Sequence, residues 1–302
     1  MQNYQLLSRK SKRFGTGIFL FCLLLFITYP LWSDILQKPD SGKKMKVFIL
    51  AGQSNMEGRA DGNKLLPRDL ERLSKVQEKV QLAYNSEPIV PLKAVKPSTE
   101  IEEIYNRELI FGPELFFGIE LSEAWPDEKI LLIKLSEGGT SLHGCWHPEW
   151  SEDKAIVMGE EEETKLYCAL IEYVEQTLSE YKKDEYEICA MLWVQGETDA
   201  GNKIAAAAYE RNLQQFISHI GQDLENDRLP FLLFQVGHGK VVEGMMKTAQ
   251  LLPNVTLIPQ SLDPTSGDFY PKMENGHYNY EGMKELGERF AEYLLNPISD
   301  AK

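Results

Sequence analysis

Val47-Phe48-Ile49-Leu50-Ala51-Gly52-Gln53-Ser54-Asn55-Met56 is the stretch that decides the fold. Its first five residues have the length and the β-branched and aromatic content of a buried strand, which stops at Gly52. A glycine there permits a tight turn, so Ser54 falls near the start of a helix with its hydroxyl at the edge of the sheet. Open α/β sheets bind ligands at this edge. Ser54 is therefore a candidate nucleophile; the alternative is that Ser54 or Asn55 only caps the helix.

Strand-like and helix-like segments alternate from residue 46 to the end of the chain. The strand candidates are 46–51, 79–84, 129–135, 188–194, 230–236 and 255–258, and the helix candidates are 113–125, 163–182, 203–225, 240–251 and 280–295. This alternation predicts an α/β protein, a three-layer α/β/α sandwich with a central parallel sheet. Region 57–112 has weak periodicity and several prolines, which predicts long surface loops. The glutamate run 160–163 is expected to open a helix on a solvated face.

The charge of the chain is unevenly distributed. The formal net charge is −14 over 302 residues, with +5 in residues 1–45 and therefore −19 in the remainder. An acidic body repels phosphate at long range, which argues against a nucleic-acid partner. It is compatible with neutral substrates such as sugars.

The amino-terminal segment has the pattern of a membrane-targeting sequence. Four cations, Arg9, Lys10, Lys12 and Arg13, precede the uncharged stretch 14–32, which is close to the length of a spanning helix. The bulky residues before Ser33 favour an uncleaved signal anchor, with a cytoplasmic N-terminus, over a signal peptide removed near Ser33. The predicted organisation is a tail, anchor and linker in 1–45 and a catalytic domain in 46–302. The catalytic domain is expected to be exported, and the protein is expected to contact the membrane only through 1–45.

The four cysteines, Cys22, Cys145, Cys168 and Cys189, do not have zinc-site spacing. In an oxidising compartment one disulfide could form, but the sequence does not give its pairing. Cys189 is expected to be a buried free thiol. No metal and no organic cofactor are expected.

Two glycine-containing clusters follow later strand candidates. Segment 136–142 contains Gly138-Gly139, whose backbone N–H groups suit an oxyanion site, although a plain turn has the same composition. Segment 195–199, Gln-Gly-Glu-Thr-Asp, offers a side-chain amide at Gln195 as an oxyanion donor and a carboxylate at Glu197 to orient a histidine. The alternative for this segment is a polar loop in which Thr198 or Asp199 caps the next helix.

His277 lies in the glycine-containing loop before the last helix candidate, three residues after Glu274. A neutral imidazole there could take the proton of a serine, with a carboxylate fixing its tautomer. A purely structural histidine is the alternative. Together the clusters supply a nucleophile, backbone donors, an amide, an acid and a base.

These motifs resemble the SGNH-type esterases, and within them carbohydrate esterase family 6 and the sialate O-acetylesterase-like group. The resemblance rests on segments 52–56, 138–140 and 195–199 and on His277, with 112–114 (Gly-Pro-Glu) and Trp146-x-Pro148 as further landmarks. It implies the flavodoxin-like SGNH fold over about residues 46–295. It also implies cofactor-free hydrolysis of O-acetyl esters on sugars, with Ser54 attacking, His277 as base, and Ser54 N, Gly139 N and Gln195 holding the oxyanion.

One departure from the family pattern leaves the orienting acid open. The family usually has Asp three residues before the histidine, where this chain has Glu274. Glu197, in an intact motif, is favoured over Glu274 for this role. Trp146 is a candidate platform for a sugar ring, with core packing as the equal alternative.

Two other function classes are alternatives to an esterase. A catalytically inactive carbohydrate-binding relative would not require the intact Ser54, His277 and carboxylates. A sugar O-acetyltransferase would use the same covalent intermediate with a sugar hydroxyl in place of water. The sequence does not select which acetylated sugar is the substrate.

Overall fold

The computed structural model describes residues 43–296, and the account of the fold is confined to them. Within that range no helix has the length and apolar content needed to cross a bilayer. The anchor segment 14–32 and most of the linker lie outside the described residues, so the anchor stays a prediction from sequence.

The described residues form strands and helices in alternation. The strands are β1 (Met45–Gly52), β2 (Ala60–Asp61), β3 (Val80–Tyr84), β4 (Val90–Pro91), β5 (Ile110–Phe111), β6 (Ile130–Ser136), β7 (Tyr186–Val194), β8 (Phe231–Phe234) and β9 (Val255–Ile258). The helices are α1 (Ser54–Glu57), α2 (Pro67–Val76), α3 (Thr99–Tyr105), α4 (Pro113–Ala124), α5 (Glu152–Met158), α6 (Leu166–Leu178), α7 (Glu197–Ala200), α8 (Lys203–Asp223), α9 (Lys240–Leu251) and α10 (Tyr280–Leu295), with a 3₁₀ turn at Gly62–Lys64.

The central sheet has seven strands in the order β4-β3-β6-β1-β7-β8-β9. All pairings are parallel except that of β4 with β3 at one edge. Strand β1 lies in the middle, with Gly52 opposite Ser136 on one side and Val194 on the other. The carboxyl ends of β6, β1 and β7 therefore meet at one edge. The expected parallel sheet is confirmed.

Helices cover both faces of this sheet. On β8, Phe231 contacts Phe216 of α8 with ring centroids 6.2 Å apart, and Phe234 contacts Phe290 of α10 at 6.2 Å. Residues three apart on a strand point to opposite faces, so α8 and α10 lie on opposite sides. Burial on both faces explains why the central strands are largely apolar. The three-layer arrangement is confirmed.

Region 57–112 differs from the expected long loops. It contains α2, α3, the edge strand β4, and a small antiparallel pair of β2 with β5. Helix α2 buries only Asp69, Leu73 and Val76 of its ten residues, and the strands are two residues long. Strands of two residues are too short for a periodic pattern, and α2 is mostly polar, so few apolar residues mark its buried face in the sequence.

Cys145, Cys168 and Cys189 are free thiols in the structure. Cys189 is half-buried rather than buried, because it lies near the open start of β7. Among residues 43–296 no three His, Cys, Asp or Glu side chains are grouped so as to hold a metal ion.

A buried ion pair supports the turn after β1. Lys134 on β6 donates to Glu114 of α4 at 2.5 Å and to the carbonyl oxygen of Glu57 at 3.0 Å, and both charged side chains are fully buried. The second oxygen of Glu114 accepts from the Gly112 N–H at 2.9 Å. Burial lowers the pKa of Lys134, opposed by the adjacent carboxylate of Glu114. The pair thus joins β6, the start of α4 and the end of α1.

We expect Glu114→Gln to lower the free energy of unfolding by about 3 kcal/mol, because it leaves the buried ammonium of Lys134 without a counter-charge. Urea unfolding followed by circular dichroism measures the change. Glu71→Gln is the matched control: its ion pair with Lys75 is exposed, and its loss should change stability by less than about 0.5 kcal/mol. Equal stability of the two variants would show that the buried pair has no such role.

Candidate active site

Ser54 lies directly beyond β1, at the edge where β6, β1 and β7 end. Gly52 has φ +149°, and a Cβ at this position would lie 2.1 Å from the carbonyl oxygen of Val194. The same carbonyl accepts from the Gln53 N–H at 3.0 Å. Only glycine therefore lets β1 pass this close to β7 before the chain turns into α1. The turn brings the Ser54 hydroxyl to the sheet edge, as expected.

His277 meets Ser54 although 223 positions separate them. Its Nε2 atom lies 3.0 Å from Ser54 Oγ. The loop between β9 and α10 carries it there, and this loop is closed by a Met273 N–H donating to the His277 carbonyl at 2.7 Å. Burial, together with the positive charges of Arg59 and Lys272, lowers the pKa of His277. The imidazole is therefore neutral near pH 7 and able to accept the serine proton.

Asn55 joins the segments that carry these two residues. Its Nδ2 donates to Glu197 Oε1 at 2.8 Å, and its Oδ1 accepts from the Tyr278 N–H at 3.2 Å. One side-chain amide thus connects the turn after β1, the start of α7 and the residue next to His277. Sequence reasoning considered Asn55 only as a helix cap, because nothing local indicates such distant partners.

The two candidate acids have different environments, and neither contacts the imidazole. Glu197 is half-buried against Asn55, its low solvation raises its pKa, and its inaccessible Oε2 has no hydrogen-bond partner among the described residues. Glu274 is exposed, and within residues 43–296 no hydrogen bond joins it to His277. Glu197 is therefore hydrogen-bonded to the histidine loop through Asn55, and its charge also acts on Lys272 of that loop.

The Gly-Gly segment lies beside the serine. A Cβ on Gly138 would be 2.9 Å from Arg59 Nη2 and 3.7 Å from Ser54 Cβ, so a side chain would be forced against the guanidinium. Gly139 has φ +77°, which glycine adopts without strain. In the part of the chain that the structure describes, the backbone N–H groups of Ser54 and Gly139 donate to no acceptor. Both remain available to a ligand.

The Gln195 side chain has a different place from the one expected. It is fully buried, and its Nε2 donates to Asp199 Oδ2 at 2.6 Å and to the Thr140 carbonyl at 3.1 Å. Both amide protons are thus engaged within the protein, which leaves none for an oxyanion. The prediction of Gln195 as an oxyanion donor is corrected: its contacts tie the end of β7 to the glycine loop.

Two buried carboxylates hold the segment that follows the glycines. Asp199 accepts from the N–H groups of Leu142 and His143 at 2.8 and 3.0 Å, and burial raises its pKa to about 6. Glu160 accepts from the N–H groups of Ser141 and Cys145 at 2.7 and 3.0 Å. Glu160 is therefore not on a solvated face, and Asp199 is more than a helix cap. Sequence reasoning missed both because most of their partners are backbone N–H groups of another segment.

Trp146 is not a sugar platform. Its side chain is fully buried, its Nε1 donates to Thr140 Oγ1 at 2.9 Å, and its ring lies edge-on to Trp193 with centroids 5.2 Å apart. A ring with no exposed face cannot stack on a ligand, so the core-packing alternative is correct.

Tyr105 and Arg59 also belong to the site, although sequence reasoning did not select them. The Tyr105 hydroxyl lies 3.3 Å from His277 Nδ1, and the Arg59 guanidinium lies 5.4 Å from the centre of the Tyr105 ring. Arg59 is buried and paired with Glu57 at 2.8 Å. The short Gly58-Arg59 sequence after the serine motif gives no signal of this stacking.

The family model described as "SASA: Carbohydrate esterase, sialic acid-specific acetylesterase" matches residues 44–296. The chain belongs to this family. The expected resemblance to sialate O-acetylesterase-like carbohydrate esterases is therefore confirmed, and the protein is a carboxylic ester hydrolase.

The chain is also similar to individual proteins and solved structures. A probable carbohydrate esterase of Arabidopsis thaliana is 27% identical over 266 residues, which cover 83% of this chain and 91% of the relative. A solved Arabidopsis thaliana structure has a TM-score of 0.63 at 21% identity, covering 85% of this chain and all of that one. A carbohydrate acetylesterase of Xanthomonas citri has a TM-score of 0.54 at 18% identity, covering 82% of this chain and 56% of that one. At these identities the two solved structures establish the fold.

We expect Lys272→Gln to raise the pKa of His277 by a few tenths of a unit, because it removes one of the two positive charges that disfavour the imidazolium. An NMR titration of the histidine ring protons measures the shift. Lys183→Gln is the control, since Lys183 lies at the opposite end of the sheet, before β7. A lowered or unchanged pKa in Lys272→Gln, with Lys183→Gln like the parent, would contradict this electrostatic account.

Proposed function

We propose that this esterase hydrolyses O-acetyl esters of carbohydrates through a covalent acetyl-enzyme, with Ser54 as nucleophile and His277 as general base. The observation that carries the proposal is the 3.0 Å contact between Ser54 Oγ and His277 Nε2. Membership of the carbohydrate esterase family supports an acetylated carbohydrate as the substrate class. An acidic surface is compatible with a neutral sugar.

In the first step the Ser54 oxygen attacks the acetyl carbonyl carbon while its proton passes to His277 Nε2. The carbonyl π electrons move to oxygen, giving a tetrahedral intermediate. Its collapse breaks the bond to the sugar oxygen, which leaves with the proton from Nε2. Water then attacks acetyl-Ser54 with the same base, and acetate is released with Ser54 and His277 restored.

The oxyanion of the intermediate is proposed to accept from the backbone N–H groups of Ser54 and Gly139. Both lack an acceptor among the described residues, and the close approach of Gly138 to Ser54 Cβ supports their convergence. One such donor contributes about 3 kcal/mol of transition-state stabilisation. Gln195 has a supporting part in this proposal, because it anchors Thr140 next to Gly139.

The proposed location is outside the cytoplasm, anchored by segment 14–32 or secreted after its cleavage. This part of the proposal is based on the sequence pattern of that segment, which lies outside the described residues.

Ser54→Ala should lower acetate release by at least about a thousandfold, because the attacking oxygen is gone while binding groups remain. The measurement is acetate release from an aryl acetate and from a panel of acetylated glycans. Ser74→Ala, on the exposed side of α2, is the control and should match the parent. Equal rates for Ser54→Ala and the parent would remove Ser54 from the mechanism. Transfer of acetyl to an added sugar in place of release would identify an acetyltransferase, and sugar binding without any turnover would identify a binding protein.

Glu197→Gln should lower turnover by about tenfold and more than Glu274→Gln. The Glu197 carboxylate holds Asn55, which holds the Tyr278 N–H beside the base, and hydrogen bonds to a charged group contribute about 1.5–3 kcal/mol. Turnover of both variants on the same aryl acetate measures the difference, with Glu274→Gln as the exposed matched control. A greater loss in Glu274→Gln would reverse the assignment.

A further inference from the structure

The second ring nitrogen of His277 faces a phenol. Tyr105 Oη lies 3.3 Å from His277 Nδ1, and the two rings meet edge to face with centroids 5.8 Å apart and an interplanar angle of 88°. The serine lies on the other side of the imidazole, 3.0 Å from Nε2. In the described part of the chain neither Glu197 nor Glu274 contacts Nδ1. The phenol thus occupies the place where an orienting carboxylate was expected.

A buried cation packs against the ring of Tyr105 and fixes its position. The Arg59 guanidinium lies 5.4 Å from the centre of its ring. Arg59 in turn donates to Glu57 Oε2 and to the Gly58 carbonyl, each at 2.8 Å, so the cation has little freedom. A cation placed over an aromatic face attracts it, and more strongly where water is excluded.

The backbone around Tyr105 is fixed as well. Helix α3 ends at Tyr105, since Asn106 has φ +49° and donates its N–H to Glu102. The next residue, Arg107, is within 3.4 Å of the Met273 sulfur atom in the histidine loop and within 3.7 Å of Asp61. The end of α3 is therefore tied to the loop that carries His277.

We propose that Tyr105 is the positioning residue of the catalytic histidine: its phenolic oxygen accepts the Nδ1–H of His277 and so leaves the Nε2 lone pair facing Ser54. This inference rests on the proposed function, in which Nε2 must accept the serine proton. A histidine with the proton on Nε2 could not do so, and the partner of Nδ1 decides between the two tautomers. A neutral acceptor can therefore replace the carboxylate in setting the tautomer.

Two cations and two uncharged hydroxyls lie around the imidazole. Arg59 approaches from the turn after α1 and Lys272 from the loop of His277 itself, and both disfavour the imidazolium. Glu197 of α7 binds Asn55, and its charge attracts Lys272. Ser54 and Tyr105 contribute uncharged hydroxyls. The phenolic oxygen then gives the imidazolium formed during attack a hydrogen bond without placing another buried charge in the site.

Tyr105→Phe tests the inference because it keeps the ring on Arg59 and removes only the oxygen. We expect kcat on an aryl acetate to fall about tenfold with KM nearly unchanged, since a lost hydrogen bond to a charged group costs about that much in the chemical step. The acid limb of the pH profile should move to lower pH, because the imidazolium loses its acceptor. Tyr293→Phe, a half-buried tyrosine near the end of α10, is the matched control and should change neither.

A measurement that does not need turnover separates this inference from the proposed function. ¹⁵N NMR of histidine-labelled protein reports which ring nitrogen of His277 carries the proton. The expected result is a proton on Nδ1 in the parent and a measurable shift of both nitrogen signals, or a mixture of tautomers, in Tyr105→Phe. Unchanged nitrogen signals together with unchanged kcat would overturn the role of Tyr105. An inactive parent whose His277 signals still respond to Tyr105→Phe would instead overturn the proposed function and leave the positioning contact in place.

Discussion

The side-chain amide of Asn55 is the contact on which the geometry of the site depends. It binds Glu197 through its nitrogen and the Tyr278 N–H through its oxygen, so three chain segments meet at one planar group. Ser54 precedes Asn55 and His277 precedes Tyr278, and each pair is directly adjacent in sequence. A planar amide with one donor side and one acceptor side therefore sets the separation of nucleophile and base, and both are held before any ligand binds.

Buried charge provides the rest of the rigidity. Lys134 and Glu114 fix the end of α1, and Arg59 and Glu57 lie directly beneath the glycine loop and Tyr105. Glu160 accepts hydrogen bonds from the backbone of the segment after the glycines. A buried carboxylate or ammonium without a partner is costly, so each of these groups restricts its neighbours to one arrangement. The result is an oxyanion region and a base that do not have to be assembled during the reaction.

The sequence predicted the central sheet well because its strands are buried on both faces. Strands such as β1 and β6 are long, largely apolar runs that end at glycine or serine, and helices α9 and α10 have the predicted bounds. Region 57–112 was predicted poorly, since α3 and the two-residue strands carry no period of their own. That region also supplies Tyr105, which is why the partner of the histidine was not found from sequence.

The sequence by itself determined the sheet, the placement of Ser54 at its edge, and the pairing of Ser54 with His277 as candidates. Parallel strands bring their carboxyl ends to one edge, so motifs that follow different strands converge without any further information. The tertiary structure alone decided what surrounds them: the buried Gln195 and Trp146, the exposed Glu274, and the phenol of Tyr105 on the histidine. These roles follow from side-chain contacts between segments that are far apart in the chain. Residue type and spacing do not predict such contacts.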